Sequence, residues 1–261
     1  MLYGKTIVVT GVASGIGART AELALQFGAD VIGVDIRAAA TPLTSFIGAD
    51  LSSQSGVDEI ARRLPPRFDA LCNVAGVSGT LGADKTLAVN FYGLRALSQA
   101  AAPHLREGGA IVNVASIAGY GWRANLERAK ALVDVKGFPE HAAIVGNYAI
   151  ADAEAYPVSK EALLLWTQRA AHQALFKGRG IRVNAVSPGP VATAILPEFR
   201  TMFGDARVDG DIAAVGRAAT ASDIAPAILF LCSDGARWIN GANLPVDGGL
   251  EAAVNAGTLG F

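Results

Sequence analysis

Residues 5–35 read Lys5-Thr6-Ile7-Val8-Val9-Thr10-Gly11-Val12-Ala13-Ser14-Gly15-Ile16-Gly17-Ala18-Arg19-Thr20-Ala21-Glu22-Leu23-Ala24-Leu25-Gln26-Phe27-Gly28-Ala29-Asp30-Val31-Ile32-Gly33-Val34-Asp35. Ile7-Val8-Val9 is a short β-branched run, as a strand buried on both faces reads. The glycine-rich turn Thr10–Gly17 follows it. Ala21, Leu23, Ala24, Leu25 and Phe27 then give a helical pattern, with Gly28 where a C-terminal stop belongs. Val31-Ile32-Gly33-Val34 is a second apolar strand, and it ends in Asp35. The stretch is a βαβ unit with glycines at its first turn.

Such a turn has a physical purpose. A pyrophosphate that approaches backbone N–H groups at a helix N-terminus gains from the macrodipole, and a Cβ at the turn would hold it away. Gly11, Ser14, Gly15, Ile16 and Gly17 are therefore expected to contact a dinucleotide, in the spacing G-x-x-x-G-x-G. Asp35 at the tip of the second strand is placed to accept from the adenosine ribose hydroxyls. It would repel a 2′-phosphate, so NAD(H) is expected over NADP(H), with Arg37 as the one opposing feature nearby. The bland alternative is a glycine-rich turn with no ligand.

The rest of the composition sets bounds. The chain has 261 residues, 51% apolar and only 17% charged, below the roughly 25% of an average domain. The core is large, or part of the surface is covered by other subunits. Basic and acidic residues number 22 and 23, so no single-sign field would attract nucleic acid or an anionic membrane. The N-terminus enters the first strand without signal-peptide anatomy, and no apolar run approaches the about 18 residues of a membrane span. Cys72 and Cys232 sit in apolar sequence, as buried free thiols do, and His104, His141 and His172 form no metal-ligand spacing. A cytoplasmic protein with no metal is expected.

Strands and helices alternate along the chain. After a linker at 38–49, a helix is expected over Gly56–Leu64, a strand over Ala70–Asn73, and a long helix from Ala83 to Leu105. Further strands are expected at Ala110–Ala115, Ile181–Val186 and Asn243–Val246, with helices at Tyr156–Phe176 and Ala221–Cys232. This order predicts an α/β fold, a Rossmann-like doubly wound parallel sheet forming one domain over residues 1–261.

In such a sheet ligands lie beyond the carboxyl ends of the strands. Asn73-Val74-Ala75-Gly76, Ser116 and Pro188-Gly189 all fall at such ends, and Tyr156 and Lys160, four apart, share a helix face. Taken singly, Ser116 reads as a cap, Asn90 as a satisfied helix residue, and Asn73 and Pro188 as turn formers. Taken together and in order, they resemble the short-chain dehydrogenases/reductases. The matching motifs are Thr10–Gly17, Asp35, Asp50-Leu51, Asn73–Gly76, Asn90, Ser116, Tyr156-x-x-x-Lys160 and Pro188-Gly189-Pro190-Val191-x-Thr193.

The resemblance implies roles. Tyr156 would be the catalytic acid/base, Ser116 would hold the substrate oxygen, Lys160 the nicotinamide ribose, and Asn90 a water in the proton relay. Asp50, Leu51, Asn73, Ala75, Gly76, Pro188, Gly189, Val191 and Thr193 would line the cofactor. An ammonium about 4 Å from the phenol, at an effective dielectric near 20, is worth roughly 4 kcal/mol, or about three pK units. On that reasoning Lys160 brings Tyr156 towards neutral pH, where a general base works best.

The chain departs from the family pattern in one place. Ser116 and Tyr156 lie much farther apart than is common, so residues of about 121–150 read as an insertion. Trp122, Leu126, Ala129, Leu132 and Val133 recur there at helical spacing between charged residues, so at least one amphipathic helix is expected. The insertion resembles that of coniferyl-alcohol dehydrogenases and bacterial 3α-hydroxysteroid dehydrogenase/carbonyl reductases. Trp122, Ile195, Leu196 and Phe199, with Met202 and Phe203 in the same segment, are expected to offer an apolar lining to the substrate, an apolar, aryl-substituted alcohol or ketone. A 3α-hydroxysteroid activity is the alternative within enzymes, and a catalytically silent NAD sensor the alternative outside them. A homodimer or homotetramer is expected through Asp223–Cys232 and Asn243–Val246, with the insertion covering the other surface by which family members pair.

Overall fold

The structure, a computed structural model, describes residues 2–260. Seven strands form one sheet: β1 (Thr6–Thr10), β2 (Asp30–Asp35), β3 (Ser45–Gly48), β4 (Phe68–Asn73), β5 (Leu105–Val114), β6 (Arg182–Pro188) and β7 (Asn243–Val246). Their order is β3-β2-β1-β4-β5-β6-β7, and every neighbouring pair is parallel. The order reverses between β1 and β4. A crevice opens at such a switch point, beyond the carboxyl ends of the strands.

Strand alternation divides the apolar residues between two cores, one on each face. Val8, Ile32, Leu71 and Ile111 join one cluster, while Ile7, Val9, Val31, Ala70, Cys72 and Val112 join the other. Both faces are therefore dry, and β-branched runs without polar alternation are the expected outcome. Cys72 and Cys232 are free and buried, with their sulfurs 3.4 Å apart.

Several element boundaries differ from the sequence-based expectation, β5 beginning at Leu105 rather than Ala110 among them, and three differences bear on the sheet edge and the site. Residues 38–49 are not all linker, because Ser45–Gly48 pairs beside β2 as the sheet edge, with Phe46 opposite Gly33. Only Ile47 of its four residues is buried, so no apolar period marks it. The helix carrying Asn90 ends at Ala101 rather than Leu105, which starts β5. It is built of Ala83–Leu87, a π-helical turn Ala88–Gly93, and Leu94–Ala101. The helix carrying Tyr156 runs Asp152–Ala170, starting before the tyrosine, and Ala174–Lys177 is a separate turn. Asp152 accepts from Ala83 N at 2.7 Å and so ties the starts of these two helices together.

The insertion is helical as expected, with Leu126–Asp134 and His141–Asn147 following a 3₁₀ stretch Ile117–Arg123. Leu126–Asp134 packs on Asp152–Ala170, and His141–Asn147 packs on Ala83–Leu87. Ala129 and Leu132 are buried in that contact. Tyr92 Oη donates to Leu132 O at 3.3 Å, and Arg95 donates to Val133 O and Gly137 O. Two side chains of the long helix thus satisfy carbonyls at the insertion's first helix end, where the helix itself leaves them unpaired. Beyond β6, the helices Leu196–Phe203 and Asp205–Val215 precede Ala221–Cys232, and Leu250–Leu259 follows β7. No helix among the described residues is long and apolar enough to cross a membrane.

Candidate active site

The glycine turn is drawn tight by Thr10. Its hydroxyl accepts from Val74 N and Ala75 N, each at 3.0 Å, and so joins the ends of β1 and β4. Gly11 has φ +77°, and a Cβ there would meet Ala75 backbone at 2.9 Å. A Cβ on Gly17 would come within 2.1 Å of Gly11 O, so the helix can sit on the turn only without one. Ser14 precedes the helix Gly15–Gln26, yet its side chain caps none of the helix N–H groups. That hydroxyl is left for whatever lies in the crevice.

At the tip of β2 both carboxylate oxygens of Asp35 are held. Oδ2 accepts from Ala13 N and Oδ1 from Arg37 N, each at 3.0 Å. The acid therefore points from the second strand back towards the glycine turn. Asp50 stands beside it and faces Lys85, with Nζ to Oδ2 3.6 Å.

Ser116, Tyr156 and Lys160 converge beyond the end of β5. The Ser116 hydroxyl accepts from Ala118 N at 3.1 Å, fixing the side chain at the start of the 3₁₀ stretch. Lys160 is buried, and its ammonium donates to Val114 O at 2.9 Å. Burial pushes the Tyr156 hydroxyl up to about 12, with a hydrogen bond to Ser116 pulling the opposite way. Burial pushes Lys160 down to about 8. The expected lowering of Tyr156 by its lysine is therefore not what the site displays. The ammonium is turned onto a backbone carbonyl, 5.5 Å from the tyrosine ring centre, and desolvation dominates both groups.

A cavity of about 920 Å³ runs from Asp35 and Leu51, past Gly15 and Thr193, to Tyr156. It is lined by Gly11, Ser14, Gly15, Ile16, Gly17, Asp35, Asp50, Leu51, Ala75, Gly76, Ser116, Tyr156, Lys160, Pro188, Gly189, Val191, Thr193, Ile195, Leu196 and Phe199. Three sequence-predicted residues do not line it. The Asn73 amide points into the fold and donates to Ser98 and Asn113, each at 2.9 Å. Asn90 is fully buried and pairs with both backbone groups of Val77 at 2.9 Å, while donating to Ser159, whose hydroxyl reaches Tyr156 O. Its side chain braces the helix under Tyr156 rather than facing the cavity. Trp122 packs against the core, with Arg123 4.4 Å over its ring, and Tyr120 and Gly121 take the cavity wall instead.

The apolar end combines the expected phenylalanines with residues from other elements. Phe199 lies 4.8 Å from the Tyr156 ring, Phe203 stacks on Phe199, and Arg207 sits 5.1 Å over Phe203. Phe199 and Phe203, four apart on the helix Leu196–Phe203, share one face, whereas Arg207 reaches them from the next helix, Asp205–Val215, across the break at Gly204. Leu250 and Val254, from the last helix, close the opposite side, and Tyr120 Oη donates to Asn255 Oδ1 behind them. No group of His, Cys, Asp and Glu side chains that could hold a metal occurs among the described residues.

Comparison with known proteins places this geometry. A family profile described as "short chain dehydrogenase" matches residues 5–126, and one described as "Enoyl-(Acyl carrier protein) reductase" matches residues 140–251. The chain is 45% identical to the coniferyl-alcohol dehydrogenase of Pseudomonas sp. (strain HR199 / DSM 7063), over 96% of this chain and 98% of that protein. Among solved structures it resembles the 3-alpha-hydroxysteroid dehydrogenase from Pseudomonas sp. B-0831 complexed with NADH. That match has TM-score 0.83 and 32% identity, covering 96% of this chain and 98% of the other. It also resembles a short chain dehydrogenase from Burkholderia cenocepacia J2315 in complex with NADP, at TM-score 0.73, 28% identity and 96% and 99% coverage.

Proposed function

The chain belongs to the short-chain dehydrogenase/reductase family, and from that premise we propose an NAD(H)-dependent oxidoreductase of apolar, aryl-substituted alcohols and ketones. One observation carries the reading. Ser116, Tyr156 and Lys160 stand at the apolar end of a cavity whose other end is lined by Gly15 and Asp35. The donor set fits a nicotinamide dinucleotide: a glycine turn that tolerates no Cβ, a Ser14 hydroxyl unclaimed by its helix, and a carboxylate at the ribose position. When bound, that group supplies or takes the hydride.

The protein's own part is to hold and to move a proton. Ser116 holds the substrate oxygen. Tyr156 Oη donates to that oxygen when a ketone is reduced and accepts from it when an alcohol is oxidised. Burial keeps the phenol protonated at neutral pH, so it enters ketone reduction with its proton in place, whereas alcohol oxidation first requires that proton to leave. Lys160 would hold the nicotinamide ribose through its ammonium, the donor that otherwise pairs with Val114 O. Asn90 acts through Val77 and Ser159, keeping the loop after β4 in register with the helix of Tyr156.

Asp35 favours NAD(H), because its fixed carboxylate would face a 2′-phosphate. The phenylalanine pair beside Tyr156 favours a flat aromatic group. A ketosteroid is the second reading, suggested by the likeness to the hydroxysteroid dehydrogenase. The active form is a homodimer or homotetramer. A panel of aryl alcohols, aryl ketones and steroids with NAD(H) and NADP(H), followed by nicotinamide absorbance, tests all of this. No turnover with any aryl substrate would overturn the reading.

A further inference from the structure

We infer that Glu198 is a positioning residue for this site: clasped by the hydroxyls of Ser78 and Thr80, it fixes Phe199 and Phe203 over Tyr156 and sets the opening through which a substrate reaches the tyrosine. For its substrate the inference rests on the proposed oxidoreductase function.

The helix Leu196–Phe203 has no buried residue. Burial of an apolar face is what normally holds a short helix in place, so this one depends on a few discrete contacts. Ser78 Oγ and Thr80 Oγ1 both donate to Glu198 Oε2, the second at 3.1 Å. Ser78 itself is fully buried, and its carbonyl accepts from Thr86 Oγ1 at 3.1 Å. One half of the clasp therefore belongs to the rigid body and the other half to the helix.

The neighbouring contacts converge on the same loop. Met202 rests on Gly79, where a Cβ would come within 2.7 Å of its sulfur. Phe199 and Phe203 approach the Tyr156 ring to 4.8 and 6.3 Å between centres. Among the described residues Arg200 pairs with Asp205 and Asp209, both on the adjoining helix, and so does not tie Leu196–Phe203 to the loop after β4. Across the mouth of the cavity, Glu198 is the charged link, and a carboxylate receiving two hydroxyl donors makes stronger bonds than a neutral acceptor would.

The test compares wild type with Glu198→Ala, Glu198→Gln, Ser78→Ala and the double alanine variant. Amide hydrogen exchange on the protein alone reads the helix directly. Amides of 196–203 are expected to exchange on the order of threefold to tenfold faster in both single alanine variants, since an exposed charge-assisted bond is of modest net strength. Those of 152–170 should be unchanged. Glu198→Gln should recover part of the protection, because its amide oxygen still accepts one hydroxyl. The double variant should lose no more than Glu198→Ala alone, as two residues of one contact do, while Ser78→Ala, which leaves Thr80 donating to the carboxylate, falls at the lower end of that range.

With an aryl ketone and NADH, the alanine variants should raise KM by the same factor and keep kcat within about twofold. Unchanged exchange at 196–203 in Glu198→Ala, additive losses in the double variant, or a loss confined to kcat would overturn the inference. A wild-type protein that turned over no aryl ketone would overturn the proposed function, while the exchange data would still decide the clasp.

Discussion

Lys160 donates to the Val114 carbonyl at 2.9 Å and stands 5.5 Å over the Tyr156 ring, so the lysine joins its helix to β5 and meets the tyrosine at the ring face rather than at the hydroxyl. The phenol is thereby left to its own burial and to Ser116. Its proton is the one the proposed reaction moves. Tyr156→Phe removes that proton and little else, since the ring keeps its contact with Phe199. Turnover is expected to fall on the order of a hundredfold to ten-thousandfold with NADH affinity nearly intact. Near-normal activity with binding measured by fluorescence would sink the assignment.

Burial of Lys160 has a consequence for stability. Its ammonium is pushed down to about 8 in the fold, whereas unfolded lysine titrates at about 10.4. Between those values the unfolded chain binds more protons, so stability rises with pH across the window. Below about pH 8 both states are charged, and the cost of the buried charge is fully present. Lys160→Met removes that cost but leaves Val114 O without its donor. Urea unfolding at pH 7 should find the variant more stable by about 2 kcal/mol, the advantage shrinking towards pH 10. A gap independent of pH would show that the buried charge is not its origin.

The cofactor end was legible in the sequence because its requirements are local. A close approach demands glycine, and the apolar runs on both sides fix where the turn and Asp35 fall. The substrate end depends on contacts between distant segments. Trp122 was expected at the wall, but in a 3₁₀ stretch the residue facing the cavity is Tyr120. Asn73 ends a strand, yet the network of Ser98 and Asn113 turns its amide inward. Leu250 and Val254 lie beyond the last strand, on a helix no motif announced. The four-residue spacing of Tyr156 and Lys160 places them on one face, but says nothing of their burial, which governs their proton affinities. Strand β3 was missed because a four-residue edge strand with one buried side chain leaves no period to read.

Asp35 should decide between the two dinucleotides. Ala13 N and Arg37 N hold its carboxylate in place, so it cannot swing away from a 2′-phosphate without losing both bonds. Wild-type kcat/KM is expected to be higher with NADH than with NADPH. In Asp35→Ala the repulsion goes while Arg37 remains, and the ratio should narrow by at least tenfold, equivalent to about 1.4 kcal/mol. A wild-type preference for NADPH would mean that Arg37 dominates this corner.

Assembly is the last expectation, and the insertion shapes it. Leu126–Asp134 and His141–Asn147 cover the helices that carry Tyr156 and Asn90 within their own chain, so that face is already occupied. On the far side of the sheet, β7 is an edge strand, and beside it Phe230 and Leu244 are each 37% exposed and Trp238 97%. Pro226, on the same helix as Phe230, is exposed as well. Aromatic side chains left in water around a sheet edge are what an interface core is made of. A two-fold contact would place the same patch of both subunits together, burying each Trp238 against the partner. Sedimentation at micromolar concentration should therefore give at least a dimer, and Trp238→Glu combined with Phe230→Glu should give a monomer. Since neither side chain lies in the cavity, the double variant should still bind NADH. A monomeric wild type, or a dimer that survives both substitutions, would place the interface elsewhere.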